Sequence, residues 1–177
     1  MVQGVIESAA VARSLGSDRL IVTAGNDVAG ENYEMTRRRV VRKLAGMAAA
    51  AEAEGMILCL EPLNIHVDHP GYWLTTMAEA ADIVEEVGSP NLKILFDIYH
   101  QQISEGNIIA TLQKYGPLVG HIHVAGVPGR GRLVGGDLDY RAIFAAIDAT
   151  DYDGNVGLEY RSPGAEEETL AEAMSLI

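Results

Sequence analysis

With 177 residues, 48% of them hydrophobic and 21% charged, the chain is long enough to bury one sizeable core, and no window approaches the length of apolar sequence that spans a membrane. Thirteen Lys and Arg against 25 Asp and Glu leave a formal charge of −12, which repels phosphate backbones and argues against nucleic acid as a partner. The start lacks a basic patch followed by an apolar stretch, and the single cysteine, Cys59, cannot close an internal disulfide, so a reducing cytoplasm is the expected compartment.

In chain order, residues 5–15 read as a helix closed by Gly16, and RLIVT opens a β-rich run that stops at Gly25. A long Ala-, Arg- and Glu-rich helix follows over residues 32–54, with Gly55 at its C-terminal side. MILCLE is a strand, and Thr76 with Glu79 has capping-box spacing for a helix that ends near Gly88. LKILFD is the next strand, followed by a predicted helix over 104–115, the strand LVGHIHVA, a helix over 140–149 and the strand NVGLEY. A terminal helix places Leu170, Met174 and Ile177 at i, i+4 and i+7, the pattern of an inward stripe.

The five predicted strands (19–24, 57–61, 93–97, 118–124 and 155–159) are continuous apolar runs rather than alternating ones. That is how strands covered on both faces read, as in a parallel sheet flanked by helices. No Ser/Gly/Pro-rich linker divides them, so one domain over residues 1–177 is expected. A (β/α)8 barrel needs eight strands and typically about 250 residues, so the expectation is an α/β fold of TIM-barrel type that is short of its first units.

Four of these strands end in a potential metal ligand: Glu61, Asp97, His123 and Glu159, at intervals of 36, 26 and 36 residues. Successive βα units run their strands in one direction, so these ends gather at one mouth of the sheet. Two ionised carboxylates about 4 Å apart repel by roughly 4 kcal/mol at an effective dielectric near 20, which a shared cation removes. Oxygen-rich donors with one imidazole favour Mg²⁺ or Mn²⁺. A pair of carboxylates around such a cation can take a proton from one carbon and return it to another, with the metal polarising the carbonyl. His100, three residues after Asp97, would project over the same mouth. Asp97 itself could instead cap the helix that follows.

His121 shares a strand face with His123 one layer deeper and is expected to be a hydrogen-bonded core residue. The loop VPGRGR lacks a P-loop ending, yet Arg130 in it could bind a carboxylate or hydroxyls; the alternative is a solvated turn. Asn64, His66, His69, Tyr72 and Trp73 lie in the loop after Glu61, a candidate lid or interface, with His66 and His69 taken as surface residues.

The stretches LEPLN, NLKILFDIYHQQISEGN, GHIHVAGVPGR and YDGNVGLEYRSPG together resemble the xylose-isomerase-like TIM barrels of the sugar phosphate isomerase/epimerase superfamily, and within it the hydroxypyruvate isomerase family. The resemblance implies a divalent cation held by Glu61, Asp97, His123 and Glu159, with Glu61 and Glu159 as the acid/base pair and His100 and Arg130 at the substrate oxygens. It implies interconversion of hydroxypyruvate and 2-hydroxy-3-oxopropanoate through an enediol. Two departures stand out. His123 takes a place where hydroxypyruvate isomerases tend to carry Gln, which is closer to ketose 3-epimerases. Relative to the family, the first three βα units are absent.

The expected partner is therefore a small hydroxy-keto acid or ketose, with neither nucleic acid nor membrane. The rival readings are a ketose 3-epimerase and, from another class, a non-catalytic truncated barrel or interaction subunit whose open sheet edges a partner or second copy would cover. A DNA-repair endonuclease of the same superfamily is disfavoured by the acidic charge.

Overall fold

The computed structural model describes residues 1–162 and 164–177; Pro163, inside the last of the motifs above, lies outside them. The elements run α1 (Val2–Ser14), β1 (Arg19–Thr23), α2 (Tyr33–Ala53), β2 (Ile57–Glu61), α3 (Met77–Val87), β3 (Leu92–Asp97), α4 (Ile98–Ser104), α5 (Ile108–Tyr115), β4 (Val119–Val124), α6 (Tyr140–Asp148), β5 (Val156–Leu158) and α7 (Glu166–Met174). The strands form one sheet in the order β1-β2-β3-β4-β5, every neighbouring pair parallel. This is an α/β fold holding five strands of the (β/α)8 barrel architecture.

The helices form where burial and caps agree. Thr36, Val40, Leu44, Met47, Ala48 and Ala51 line the buried stripe of α2, and Asn32 caps it by accepting the Met35 N–H at 3.0 Å. Thr76 Oγ1 accepts the Glu79 N–H at 3.2 Å and donates to the Glu79 carboxylate at 2.9 Å, so the predicted capping pair starts α3. Gly88 ends it with φ +66°, a conformation that favours glycine.

Alternation along the strands sorts the side chains by function. Leu58, Leu60, Ile94, Phe96, Ile122 and Val124 face the helices and belong to the main apolar core. The opposite face carries Cys59 and Glu61, Leu95 and Asp97, and His121 and His123, with the rows aligned by the pairing of Thr23 with Glu61, Asp97 with His123, and His123 with Gly157. At the β1 edge this face is open, and Ile21 is 51% exposed.

Two helical expectations are corrected. The chain after β3 does not wait until residue 104: α4 starts at Ile98, directly behind Asp97. The terminal stripe does not point inward. Leu170, Met174 and Ile177 are exposed, while α7 buries Thr169 and Ala173. Met174 and Ile177 instead line an open apolar cleft with Phe144, Ile147, Val156 and Leu158, because α7 lies at the outer edge of the sheet.

Candidate metal centre

The ends of β2, β3 and β4 and the residue just past β5 bring Glu61, Asp97, His123 and Glu159 together, each offering a ligand atom within 4.8 Å of all the others. The first three side chains are buried and Glu159 stands at the open side. Their rows are staggered rather than level: Asp97 pairs with His123, whereas the residue of β5 opposite His123 is Gly157, two before Glu159. Gly157 makes room for the His123 ring beside it, since a Cβ there would lie 2.8 Å from His123 Cδ2.

Asp97 divides its two carboxylate oxygens between a helix cap and the cluster. One carboxylate oxygen caps α4, accepting the N–H groups of Tyr99 at 2.8 Å and His100 at 3.2 Å. The other faces the cluster. Burial raises its pKa, against the opposing pull of the His100 backbone N–H and of the Arg130 charge.

Burial pushes the Glu61 carboxyl up to about 8, with Asp97 and Glu159 adding to the shift. Hydrogen bonds contribute nothing to it, and only the Arg130 charge opposes. A buried carboxyl with two more carboxylates within 4.8 Å is a position that a cation relieves, and the donor set of three carboxylates and one imidazole suits one.

Arg130 is not a solvated turn residue. Its guanidinium bonds the Glu159 carboxylate at 2.6 Å, reaches Asp97 Oδ2 at 3.4 Å and lies over the Tyr99 ring, 4.9 Å from its centre. Glu159 also meets His123 Nδ1 at 3.0 Å. Partial burial alone would raise the Glu159 carboxyl, but Arg130 and His123 outweigh it and hold the carboxyl below its ordinary range. Part of the positive charge that the three acids require is thus supplied by the chain itself. The loop bearing Arg130 is tight: Gly126 donates to the Gly131 carbonyl at 2.8 Å, and a Cβ on Gly126 would lie 2.0 Å from the Arg132 oxygen.

His100 is buried beside the cluster, 2% exposed, with Nε2 3.7 Å from Asp97 Oδ2 and without a hydrogen-bond partner. Burial, reinforced by Arg130, lowers its pKa to about 4, so the ring is neutral at pH 7. His121 departs from expectation: its Nδ1 is buried but makes no hydrogen bond, and the ring packs edge-on against His123 with centres 4.8 Å apart.

The loop after Glu61 is packed down rather than raised as a lid. Asn64, Tyr72 and Trp73 are buried, while His66 is exposed and His69 is half-buried against the His100 ring. Tyr72 donates to the Glu61 carbonyl at 2.8 Å and accepts the Ala24 N–H at 2.8 Å, tying the ends of β1 and β2. Asp68 and Tyr99, which the sequence did not single out, meet through the Tyr99 hydroxyl at 2.7 Å. Only the loop's length and its Asn and Asp residues hinted at such bonding.

The chain belongs to the xylose isomerase-like TIM barrel family, whose model matches residues 2–177. Among curated relatives, the 2-oxo-tetronate isomerase of Cupriavidus necator is 40% identical over 147 residues, 83% of this chain and 56% of that protein. The hydroxypyruvate isomerase of Escherichia coli is 35% identical over 158 residues, 89% of this chain and 61% of that protein. The chain thus spans less than two thirds of the length of these relatives, between 56% and 61%.

Among solved structures, an AP endonuclease of family 2 from Brucella melitensis has a TM-score of 0.88 at 26% identity, over 98% of this chain and 68% of that one. An L-ribulose 3-epimerase has a TM-score of 0.78 at 26% identity, over 98% and 58%. No helix among the described residues is long and apolar enough to cross a membrane.

Proposed function

We propose that residues 1–177 act as one domain of a metal-dependent isomerase that moves a proton between adjacent carbons of a small hydroxy-keto acid, hydroxypyruvate to 2-hydroxy-3-oxopropanoate. The observation that carries this reading is the convergence of Glu61, Asp97, His123 and Glu159 within 4.8 Å. The names of the two curated relatives, both isomerases of small oxo acids, support the substrate class.

In this reading the four residues hold a divalent cation, Mg²⁺ or Mn²⁺ by the chemistry of the donors. When bound, the cation supplies Lewis-acid polarisation of a carbonyl oxygen. The chain's residues do the rest. Glu159, kept ionised by Arg130 and His123, takes the proton from the hydroxyl-bearing carbon, and that hydroxyl's proton passes to the neighbouring carbonyl oxygen. Glu61 returns a proton to the former carbonyl carbon from the buried side of the site, and the two carboxyls exchange protons with solvent to reset. Arg130 sits where it can share its guanidinium between Glu159 and a substrate carboxylate, and His100 presents a ring nitrogen to a substrate oxygen.

Glu159→Gln should abolish exchange of the substrate's carbon-bound proton with solvent; unchanged exchange removes Glu159 from the mechanism.

His123 favours a second reading, a ketose 3-epimerase, by its resemblance to those enzymes at this position, and the L-ribulose 3-epimerase fold fits it. A coupled assay offering hydroxypyruvate and several ketohexoses separates the two. Turnover of hydroxypyruvate alone supports the isomerase, and turnover of ketohexoses alone supports the epimerase.

A further inference from the structure

Asn64 is fully buried in the loop behind the site, and all of its polar atoms are engaged. Its side-chain oxygen accepts the N–H groups of Val67 at 3.0 Å and Asp68 at 3.2 Å. That settles which end of the amide is which. The nitrogen therefore faces Asp68 Oδ2 at 2.9 Å and His100 Nδ1 at 2.7 Å. The Asn64 backbone N–H, which can only donate, also points at His100 Nδ1 from 3.2 Å. With two donors aimed at it, Nδ1 must be the accepting nitrogen, so the neutral ring carries its hydrogen on Nε2. That N–H is buried, unpartnered and turned toward the ligand cluster, beside Asp97 Oδ2. A buried donor without a partner awaits an acceptor.

Asp68 extends the network to the other substrate-facing group. The oxygen that accepts from Asn64 also accepts the Tyr99 hydroxyl at 2.7 Å, and the Tyr99 ring supports the Arg130 guanidinium. One carboxylate thereby joins the groups behind His100 and beneath Arg130. We propose that Asn64 and Asp68 are positioning residues: Asn64 locks His100 as the Nε2–H tautomer so that it donates to a substrate oxygen, and Asp68 holds Tyr99 under Arg130 so that the guanidinium meets the substrate's acidic end. This rests on the isomerase reading for the identity of the substrate, but the tautomer follows from the fold alone.

Two measurements test it. The first is long-range ¹H–¹⁵N NMR on the full chain labelled with ¹⁵N-histidine, with His100 assigned by loss of its signals in His100→Gln. An unprotonated Nδ1 with a protonated Nε2 is expected, and a ring protonated at Nδ1 overturns the assignment to Asn64. The second is steady-state kinetics of Asp68→Asn on hydroxypyruvate with Mn²⁺. The KM should rise about tenfold, in the range typical for groups that orient ligating or substrate-binding side chains, while Mn²⁺ affinity stays unchanged. A KM within twofold of the parent overturns the role of Asp68, and so does a matching loss of Mn²⁺ affinity, which would mean general damage to the site. A wild-type chain with no turnover sinks the isomerase reading instead, and the tautomer measurement then decides this inference by itself.

Discussion

Replacing Gly157 with Ala adds one methyl group at the most crowded point of the ligand row. The new Cβ would lie 2.8 Å from His123 Cδ2 and 3.2 Å from His121 Nε2. Carbon atoms settle about 3.5–4.0 Å apart, so the His123 ring or the β5 backbone must shift by roughly 1 Å. His121, packed edge-on 4.8 Å away, limits how far the His123 ring can turn. A shift of that size breaks the 3.0 Å contact from His123 Nδ1 to Glu159. Overpacking of this kind costs about 1–3 kcal/mol.

The usual effect of the same change has the opposite sign, since Gly inside a strand is less stable than Ala by about 0.5–1 kcal/mol. Urea unfolding of the metal-free chain should therefore show Gly157→Ala destabilised by about 1–2 kcal/mol net. Calorimetric titration with Mn²⁺ should show an affinity about tenfold or more below wild type, as His123 leaves its place. Wild-type Mn²⁺ affinity together with equal or greater stability would refute the argument that Gly157 is there to seat His123.

Stability of the chelator-treated chain should depend on pH through Glu61, whose folded pKa of about 8 exceeds the ordinary 4.5. The folded state binds the proton more tightly, so this group lowers stability as pH rises from 4.5 toward 8. His100, lowered to about 4, acts the other way, but only between its folded value and the unperturbed 6.5. Above about pH 6.5 His100 no longer contributes. Up to pH 8 urea midpoints should fall by an equivalent of about 2 kcal/mol through Glu61, with the raised Asp97 carboxyl acting in the same direction, so Glu61→Gln should flatten the slope. Thr76→Ala deletes the oxygen that accepts the Glu79 N–H at the start of α3 and should cost about 1 kcal/mol by urea unfolding, with Thr76→Ser restoring most of it.

The strands were legible because each is a short, largely apolar run, and the ends at Glu61 and Asp97 fell where the runs stop. The segment after Asp97 was harder. Ile98, Tyr99 and His100 are buried and could continue a strand by composition, and what starts a helix there is the Asp97 side chain turning back to cap it. The capping oxygen and the cluster-facing oxygen belong to one carboxylate, so the cap leaves the second oxygen free to face the acidic cluster.

The terminal stripe failed for a different reason. Spacing identifies which residues share a helix face, but not how closely the elements across from that face approach it, and for Met174 and Ile177 α6 and β5 stand across an open cleft that leaves them exposed. The network through Asn64, Asp68, Tyr99 and His100 joins positions as many as 36 apart by hydrogen bonds, and no local pattern encodes such distances.

Because Glu61, Asp97, His123 and Glu159 each lie on, or just past, a different strand, the cluster works as a vernier for four of the five strands. Sliding any one strand by a single residue would turn its ligand to the helix side and leave a gap of one donor. On the proposed metal-dependent reading, cation affinity would then report alignment across four strands at once, so a titration with Mn²⁺ would serve as a fidelity check on folding for any variant of this chain, including those altered far from the mouth.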